Sequence, residues 1–241
     1  RPAPEENESF LADISRYANT QNNVRPSDLY SSSPFHVGLE RIARTTWCPD
    51  GQAQWFYERM TGAYRTMIAR EKTPAARRRL KSAIPPSRCI TKLDLAKYMN
   101  AWLGHPDIAC QSAQKCFGLF MKELEAQTGP GAARPTENTW KDIVSVAILY
   151  RTSHQMALKL FPENAASLAT YSVAIAGRLL GPDFHLRMVW ESQRLSGPLA
   201  AQIERWQREI NGILRLSSLG KPVSEWAREA ECWKFVLESI E

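Results

Sequence analysis

Apolar residues recur at helical spacing along almost the whole chain. Phe10, Ile14 and Tyr17 fall at i, i+4 and i+7, which predicts a short amphipathic helix that ends near Ala18. Strict alternation of apolar and polar residues, the mark of a half-buried strand, is nearly absent. The pattern therefore predicts an all-α fold. The further helices that it predicts lie at about 54–70, 92–103, 106–127, 139–160, 165–180, 185–194, 198–216 and 223–240.

One run of helix-breaking residues interrupts this periodicity. The segment Thr128-Gly-Pro-Gly-Ala-Ala-Arg-Pro135 combines glycine and proline, and it is typical of a linker. We therefore expect two helical lobes. The first, residues 1–128, contains a polar turn and a basic segment, and the second, residues 136–241, is a C-terminal helical bundle.

Composition narrows the class of protein. A hydrophobic content of 44% and eight Trp favour a packed core over disorder. No apolar run approaches the roughly 18 residues of a membrane-spanning helix. Five irregularly spaced Cys do not describe a disulfide framework, so we expect a reducing, cytoplasmic setting without membrane contact. The chain starts at Arg1 without an initiator Met or a secretory segment, and we expect it to be a piece of a longer protein.

Positive charge is concentrated between Arg59 and Lys97. This segment holds eleven Lys and Arg but only two acids, so it carries +9 while the remainder of the chain carries −3. Clustered cations attract polyanions. We expect the following side chains to contact nucleic-acid phosphates: Arg77, Arg78, Arg79, Lys81 and Arg88. The alternative is a solvated basic face that only keeps the protein in solution.

A polar turn at Asn19–Asn23 is a second candidate site. Asn19, Gln21 and Asn22 offer both donors and acceptors, which suits recognition of a base edge or a phosphate. The alternative is an ordinary connection between two helices, because Asn is favoured in turns.

Two shorter segments combine charged and aromatic residues. Trp55-Phe-Tyr-Glu-Arg59 predicts a buried ion pair under aromatic cover. Further along, Thr91 is placed to cap a helix, with Asp94 at the capping-box distance. Lys92 and Lys97 lie on the same turn and the next turn of this helix, so Asp94 is expected to neutralise one of these lysines in a surface ion pair.

The sequence identifies no catalytic residue and no cofactor. The Cys and His residues lack the spacing of zinc ligands, so we expect no metal site. The four His are scattered, and no glycine-rich phosphate loop occurs.

Several blocks of sequence point to a known family, namely 14–24, 55–59 with Gly62 and Tyr64, 90–98 with Trp102, 112–115 with Phe117, 171–174 and 223–233. These blocks resemble the abortive infection phage resistance (AIPR) family of bacterial defence proteins. They occur in order along nearly the whole chain. The chain departs from the family pattern in two places. Met60-Thr-Gly-Ala-Tyr64 stands where family members usually have Ala-Arg-Gly-Gln-Tyr, and Ser112 stands where they have Gly.

The resemblance implies a helical, C-terminal portion of a larger protein that also contains an α/β part. It also implies a bacterial phage-defence role beside other subunits of a restriction-like system, such as helicases, methyltransferases and nucleases.

Three hypotheses about function follow. The first is a helical module that engages nucleic acid and assembles with an N-terminal part. In the second, the chain is half of a nucleotide hydrolase or nuclease, with Glu58, Arg59 and Lys92 lining a shared cleft together with the polar turn. In the third, the chain is a protein-interaction scaffold that docks through the helix carrying Trp226 and Trp233.

Overall fold

Helices make up nearly all of the regular structure. The computed structural model describes residues 26–128, 134–180 and 182–240. The expected all-α class is confirmed. In chain order the helices are α1 (Pro26–Leu29), α2 (Pro34–Thr45), α3 (Ala63–Arg70), α4 (Pro74–Ala83), α5 (Lys92–Trp102), α6 (Pro106–Ala109), α7 (Ala113–Thr128), α8 (Glu137–Leu160), α9 (Ala165–Leu179), α10 (Pro182–Ser192), α11 (Gly197–Ser217), α12 (Val223–Trp226) and α13 (Ala230–Ile240). Short 3₁₀ turns lie at Tyr30–Ser32, Pro86–Arg88 and Pro162–Asn164.

The helix predicted over 54–70 is wrong in its first half. Residues Phe56–Glu58 form strand β1, which pairs in parallel with strand β2 (Cys89–Thr91). Trp55, Phe56 and Tyr57 are all buried, so both faces of β1 are covered. A short apolar run that is buried on every side has no period that could distinguish a strand from a helix.

The two strands are joined by a helical crossover. The chain leaves β1, forms α3 and α4 and then returns to β2 in the same direction. Parallel strands need such a connection because the chain must travel back to the starting end of the sheet. The crossover therefore projects from a two-stranded sheet whose register is fixed by Tyr57 opposite Ile90.

Two predicted helices are interrupted, and the two interruptions touch each other. The segment 106–127 divides into α6 and α7, and 223–240 divides into α12 and α13. The Gln111 side-chain amide donates to the carbonyl oxygen of Arg228 at 2.9 Å, while Arg228 Nε donates to the carbonyl oxygen of Cys110 at 3.2 Å. Each break thus supplies a hydrogen-bond partner for the other.

Helix α9 lies at the centre of the molecule. Every residue from Ser167 to Ala176 is buried, so this helix is covered on all sides. Helices α5, α8 and α11 pack around it. One cluster of buried side chains extends from Phe35 to Val236 and includes residues from both sides of the expected linker. The division into two lobes at that linker stays a prediction.

Candidate nucleic-acid interface

The structure divides the eleven cations between Arg59 and Lys97 into two groups. Four of them contact the body of the protein. The other seven are exposed on the crossover. We call residues 63–83, which comprise α3 and α4, the basic hairpin. Its cations are Arg65, Arg70, Lys72, Arg77, Arg78, Arg79 and Lys81.

Arg59 and Lys92 belong to the first group, and both bind Ser31. Arg59 donates to Glu40 Oε2 at 2.6 Å and to the Ser31 carbonyl oxygen at 2.7 Å. Lys92 Nζ donates to Ser31 Oγ at 2.5 Å and to the Ser27 carbonyl oxygen at 2.6 Å. The buried pair predicted between Glu58 and Arg59 is therefore wrong, because Arg59 pairs with Glu40 and both side chains are only partly buried.

The surface pair predicted between Asp94 and one of its two neighbouring lysines, Lys92 or Lys97, is wrong, and Arg151 Nη2 lies 3.9 Å from Asp94 Oδ2. Lys92 is only 4% exposed, and Asp28 lies 3.7 Å from its Nζ. Burial lowers the pKa of Lys92, while the negative charge of Asp28 opposes that shift. Asp94 instead closes the capping box with Thr91 at the start of α5, which confirms the predicted cap. Lys92 thus anchors the segment around α1 to α5.

The remaining two cations of this group also face inward. Arg88 is half-buried, with Nη1 3.4 Å from Cys48 Sγ. Lys97 lies over the Tyr150 ring, 5.6 Å from its centroid. Arg88 is therefore separated from the exposed charges with which the sequence grouped it.

Contacts at both ends fix the basic hairpin to the sheet. Gly62 has a φ of +83°, a left-handed conformation that lets the chain turn from β1 into α3. Glu58 Oε1 accepts a hydrogen bond from the Tyr64 backbone N–H at 3.1 Å. The Tyr64 hydroxyl donates to the carbonyl oxygen of Ile84, just beyond α4, at 2.7 Å. Glu58 and Tyr64 therefore hold the two ends of the crossover together.

The turn between the two helices is also ordered by side chains. Thr73 Oγ1 caps α4 by accepting from the Ala76 backbone N–H at 3.2 Å, and Pro74 occupies the first turn. Arg77 Nε donates to the Glu71 carbonyl oxygen at 2.8 Å. Thr73, Pro74 and Arg77 therefore stabilise the turn at 71–73.

The basic hairpin carries the net charge of the entire chain. Its seven cations face one acid, Glu71, so its net charge is +6, and the chain as a whole also carries +6. All other residues therefore sum to zero. Neither α3 nor α4 contains a buried residue. An exposed helical arm with this charge produces a localised positive potential.

A comparison with known protein families shows to which family the chain belongs. A family model described as AIPR protein matches residues 3–218, which is most of the chain. The chain belongs to the AIPR family. Membership confirms the resemblance and indicates a role in abortive-infection phage resistance. No curated protein and no solved structure matches the chain.

The AIPR match includes both candidate sites. The basic hairpin lies inside the matched residues, and so does the polar turn. Asn19, Gln21 and Asn22 lie outside the residues that the structure describes. None of the helices that it does describe is long and apolar enough to cross a membrane.

A buried histidine lies beside the sheet of this AIPR protein. The Tyr57 hydroxyl lies 2.5 Å from His36 Nδ1, and the His36 ring stacks between Tyr57 and Phe117. Burial lowers the pKa of His36 to about 3, and the nearby charges of Lys92 and Arg59 act in the same direction. Neutral His36 therefore shares one hydrogen bond with the Tyr57 hydroxyl at Nδ1, and the tautomer of the ring sets which of the two groups donates.

Burial raises the pKa of each cysteine thiol and so disfavours the reactive thiolate form. All five Cys are free, and burial raises the pKa of Cys89 to about 12 and that of Cys110 to about 11. These thiols remain protonated at neutral pH and are poor nucleophiles. Within 26–128, 134–180 and 182–240, no group of three or more His, Cys, Asp or Glu could hold a metal ion.

Two cavities flank the basic hairpin, and sequence reasoning found neither. The larger, of about 710 Å³, lies between α2, β1 and α3, and acids as well as cations line it, including Glu40, Arg44 and Glu71. The smaller, of about 430 Å³, lies between α3, α4 and the turn at Pro86. The signal that could have found the smaller one is the spacing of Arg77 and Lys81, which places them on one face of α4.

Proposed function

We propose that this protein acts in phage defence in the cytoplasm by binding nucleic acid through the basic hairpin. In this proposal the chain contributes binding and assembly and breaks no bond. Family membership supports the defence role. The distribution of charge supports the binding role.

One observation carries the proposal. The whole net charge of the chain lies on an exposed arm with one acid, while the rest of the chain is neutral. Solvent-facing cations without acidic partners attract a phosphate backbone, and binding releases the counterions of that backbone. Arg78 and Arg79 are exposed near the middle of α4, where a backbone phosphate can reach them.

Contacts within the chain favour binding over a shared active site. Glu58, Arg59 and Lys92 would line the cleft of such an enzyme, yet each has its charged group engaged by a neighbour. The two Trp of the scaffold hypothesis are half-buried. Trp226 donates to Ser217 Oγ at 2.8 Å, and the Trp233 ring packs edge-on against Tyr171.

Assembly with other subunits of a restriction-like system is the remaining part of the proposal. It rests on family membership alone. Co-purification of the protein from its native host, with and without nuclease treatment, separates a protein partner from one that is held through nucleic acid.

Charge reversal of the hairpin tests the binding role. We expect R77E/R78E/R79E to weaken binding of a labelled oligonucleotide, because three phosphate contacts become repulsive. The slope of log K against log salt should fall in magnitude by about 2–3. Fluorescence anisotropy between about 50 and 200 mM salt measures both quantities.

A matched triple substitution controls for net charge. Arg205, Arg208 and Arg215 are exposed on α11, and R205E/R208E/R215E changes the net charge by the same amount. This control should bind with nearly the affinity of the unmodified chain. If the two triple variants have equal affinities and slopes, the hairpin is not the interface.

A further inference from the structure

The smaller cavity beside the basic hairpin combines an apolar floor with a cationic rim. Tyr64, Ile68 and Ala69 of α3 line it together with Pro86 of the following 3₁₀ turn. Three cations complete the lining, namely Arg65, Arg77 and Lys81. These described residues include no carboxylate. The cavity therefore suits a ligand with a flat apolar body and a negative charge.

The floor of the cavity is held in place. The Tyr64 hydroxyl is fixed by the carbonyl oxygen of Ile84, and its ring meets Phe56 edge-on with centroids 5.6 Å apart. Partial burial raises the pKa of Tyr64, so the hydroxyl remains a donor at neutral pH. Pro86 follows in the same turn and has little conformational freedom. A ligand would meet a surface that is already formed.

The smaller cavity differs from the larger one in the charges at its rim. In the larger cavity Glu40 lies among the lining residues and pairs with Arg44 at 2.9 Å, so part of the positive charge is neutralised. In the smaller one Arg65, Arg77 and Lys81 are all exposed. Arg77 Nε donates to the Glu71 carbonyl oxygen, and this hydrogen bond within the hairpin orients the Arg77 guanidinium.

We propose that this cavity takes one unstacked base of a single-stranded nucleic acid, with Arg65, Arg77 and Lys81 on the flanking phosphates. The proposal rests on the proposed function and specifies its substrate. Proteins that bind single strands combine a positively charged groove with apolar or aromatic surfaces that receive bases. A volume of about 430 Å³ falls within the range of small-ligand sites. A duplex keeps its bases stacked and paired, and removing one costs a few kcal/mol. The hairpin therefore prefers single strands to duplex.

Two oligonucleotides with equal phosphate charge test whether a base is bound. The probes are a labelled 15-mer of thymidine and a 15-mer of abasic residues, with a 15-mer of uridine and a 15-bp duplex alongside. We expect the thymidine and uridine strands to bind about 5- to 100-fold more tightly than the abasic strand, the effect of one stacked base. The duplex should bind more weakly than the thymidine strand.

Filling the cavity should remove that difference. Ala69 is exposed and lines the cavity, whereas Ala75 is exposed on the same hairpin and does not line it. We expect A69W to reduce the affinity for the thymidine strand to that for the abasic strand, and A75W to leave both affinities unchanged. Circular dichroism confirms that both variants fold.

If A69W does not fold, a second pair of variants, each of which removes one positive charge, tests the same inference. Lys81 lines the cavity and Lys72 does not, although both are exposed. K81Q should weaken thymidine binding more than K72Q does. Equal binding of thymidine and abasic strands, or equal effects within each variant pair, would overturn the base-binding inference while leaving the hairpin as a phosphate interface. Absence of binding to every probe at about 50 mM salt would overturn the proposed function itself.

Discussion

Lys92 and His36 are both buried and titratable, but their hydrogen-bond partners differ. Lys92 is surrounded by acceptors from Ser27 and Ser31 and by the carboxylate of Asp28, a setting that suits an ammonium group. His36 has only the Tyr57 hydroxyl, and its Nε2 has no hydrogen-bond partner among the described residues. Burial therefore excludes the charged form of His36 from the folded protein.

His36 should make the protein less stable in mild acid. Its pKa falls from the ordinary 6.5 to about 3 on folding, so between these values the unfolded chain binds a proton that the folded chain does not. Unfolding thus becomes more favourable as the pH falls below 6.5, by about 2 kcal/mol at pH 5 relative to pH 7. Urea denaturation at pH 7, 6 and 5 measures this loss.

The variant H36N separates this effect from general acid sensitivity. Asparagine can accept from the Tyr57 hydroxyl but has no proton to gain in this pH range. We expect the free energy of unfolding of H36N to change less with pH than that of the unmodified chain. The same substitution at exposed His105 controls for the loss of a histidine. Parallel pH profiles for the unmodified chain and H36N would refute the assignment.

Helices that begin with a capping motif or have a clear helical spacing of apolar residues could be predicted from the sequence. The capping box of Thr91 and Asp94 identified α5, and the long periodic segments identified α8, α9 and α11 to within a few residues. Strand β1 could not be predicted, because its pairing partner Ile90 lies 33 positions away from Tyr57. The breaks near Gln111 and Arg228 depend likewise on a contact between distant segments.

Helix α9 crosses α5 at a point where only glycine fits. A Cβ atom at Gly177 would lie 2.0 Å from the carbonyl oxygen of Trp102, which is backbone and cannot easily shift. We expect G177A to lower the free energy of unfolding by about 1–3 kcal/mol, the usual cost of overpacking. Chemical denaturation measures the change.

A second helical glycine provides the comparison for Gly177. Gly212 is exposed in α11, and a Cβ added there would meet nothing within 4 Å. G212A should be neutral or stabilise the protein by up to about 1 kcal/mol, since alanine favours a helix. A neutral G177A would show that the two helices do not approach as closely as the structure has them.

Two polar side chains connect the N-terminal and C-terminal parts of the molecule. Arg151 of α8 donates to the carbonyl oxygens of Ser87 and Cys89 at 2.5 and 2.6 Å, and to the Tyr98 hydroxyl at 3.1 Å. Gln193 Oε1 accepts from Trp55 Nε1 at 2.9 Å. Its backbone has a φ of +52°, unusual for a residue with a side chain. Both contacts fix the sheet that bears the hairpin.

Replacing Arg151 should loosen strand β2. Lysine keeps the charge but lacks the forked donors that reach several acceptors at once. We expect R151K to lower the free energy of unfolding by about 1–3 kcal/mol and to speed hydrogen exchange in Cys89–Thr91. Exchange measured by mass spectrometry tests this. R208K is the control, because Arg208 is exposed and pairs with Glu204 one turn away, and equal effects would contradict the assigned role.

The charge of the candidate site was accessible from the sequence, whereas its shape was not. Counting residues located the excess of cations, and the exposure of Arg77, Arg78 and Arg79 follows from a segment with few apolar residues. The inward turn of Arg59 and Lys92 could not be foreseen, since Glu40 and Ser31 are distant in sequence. That Arg77 and Lys81 border a cavity depends on how α3 and α4 pack. Their role in binding stays a prediction.

The crossover has a consequence for the divergence of this protein. Its two ends are held by adjacent three-residue strands, which places them within about 10 Å of each other. Because neither of its helices buries a residue, the basic hairpin can change in length or sequence without repacking the interior. If the hairpin binds as we propose, its binding surface could vary from lineage to lineage on an unaltered scaffold.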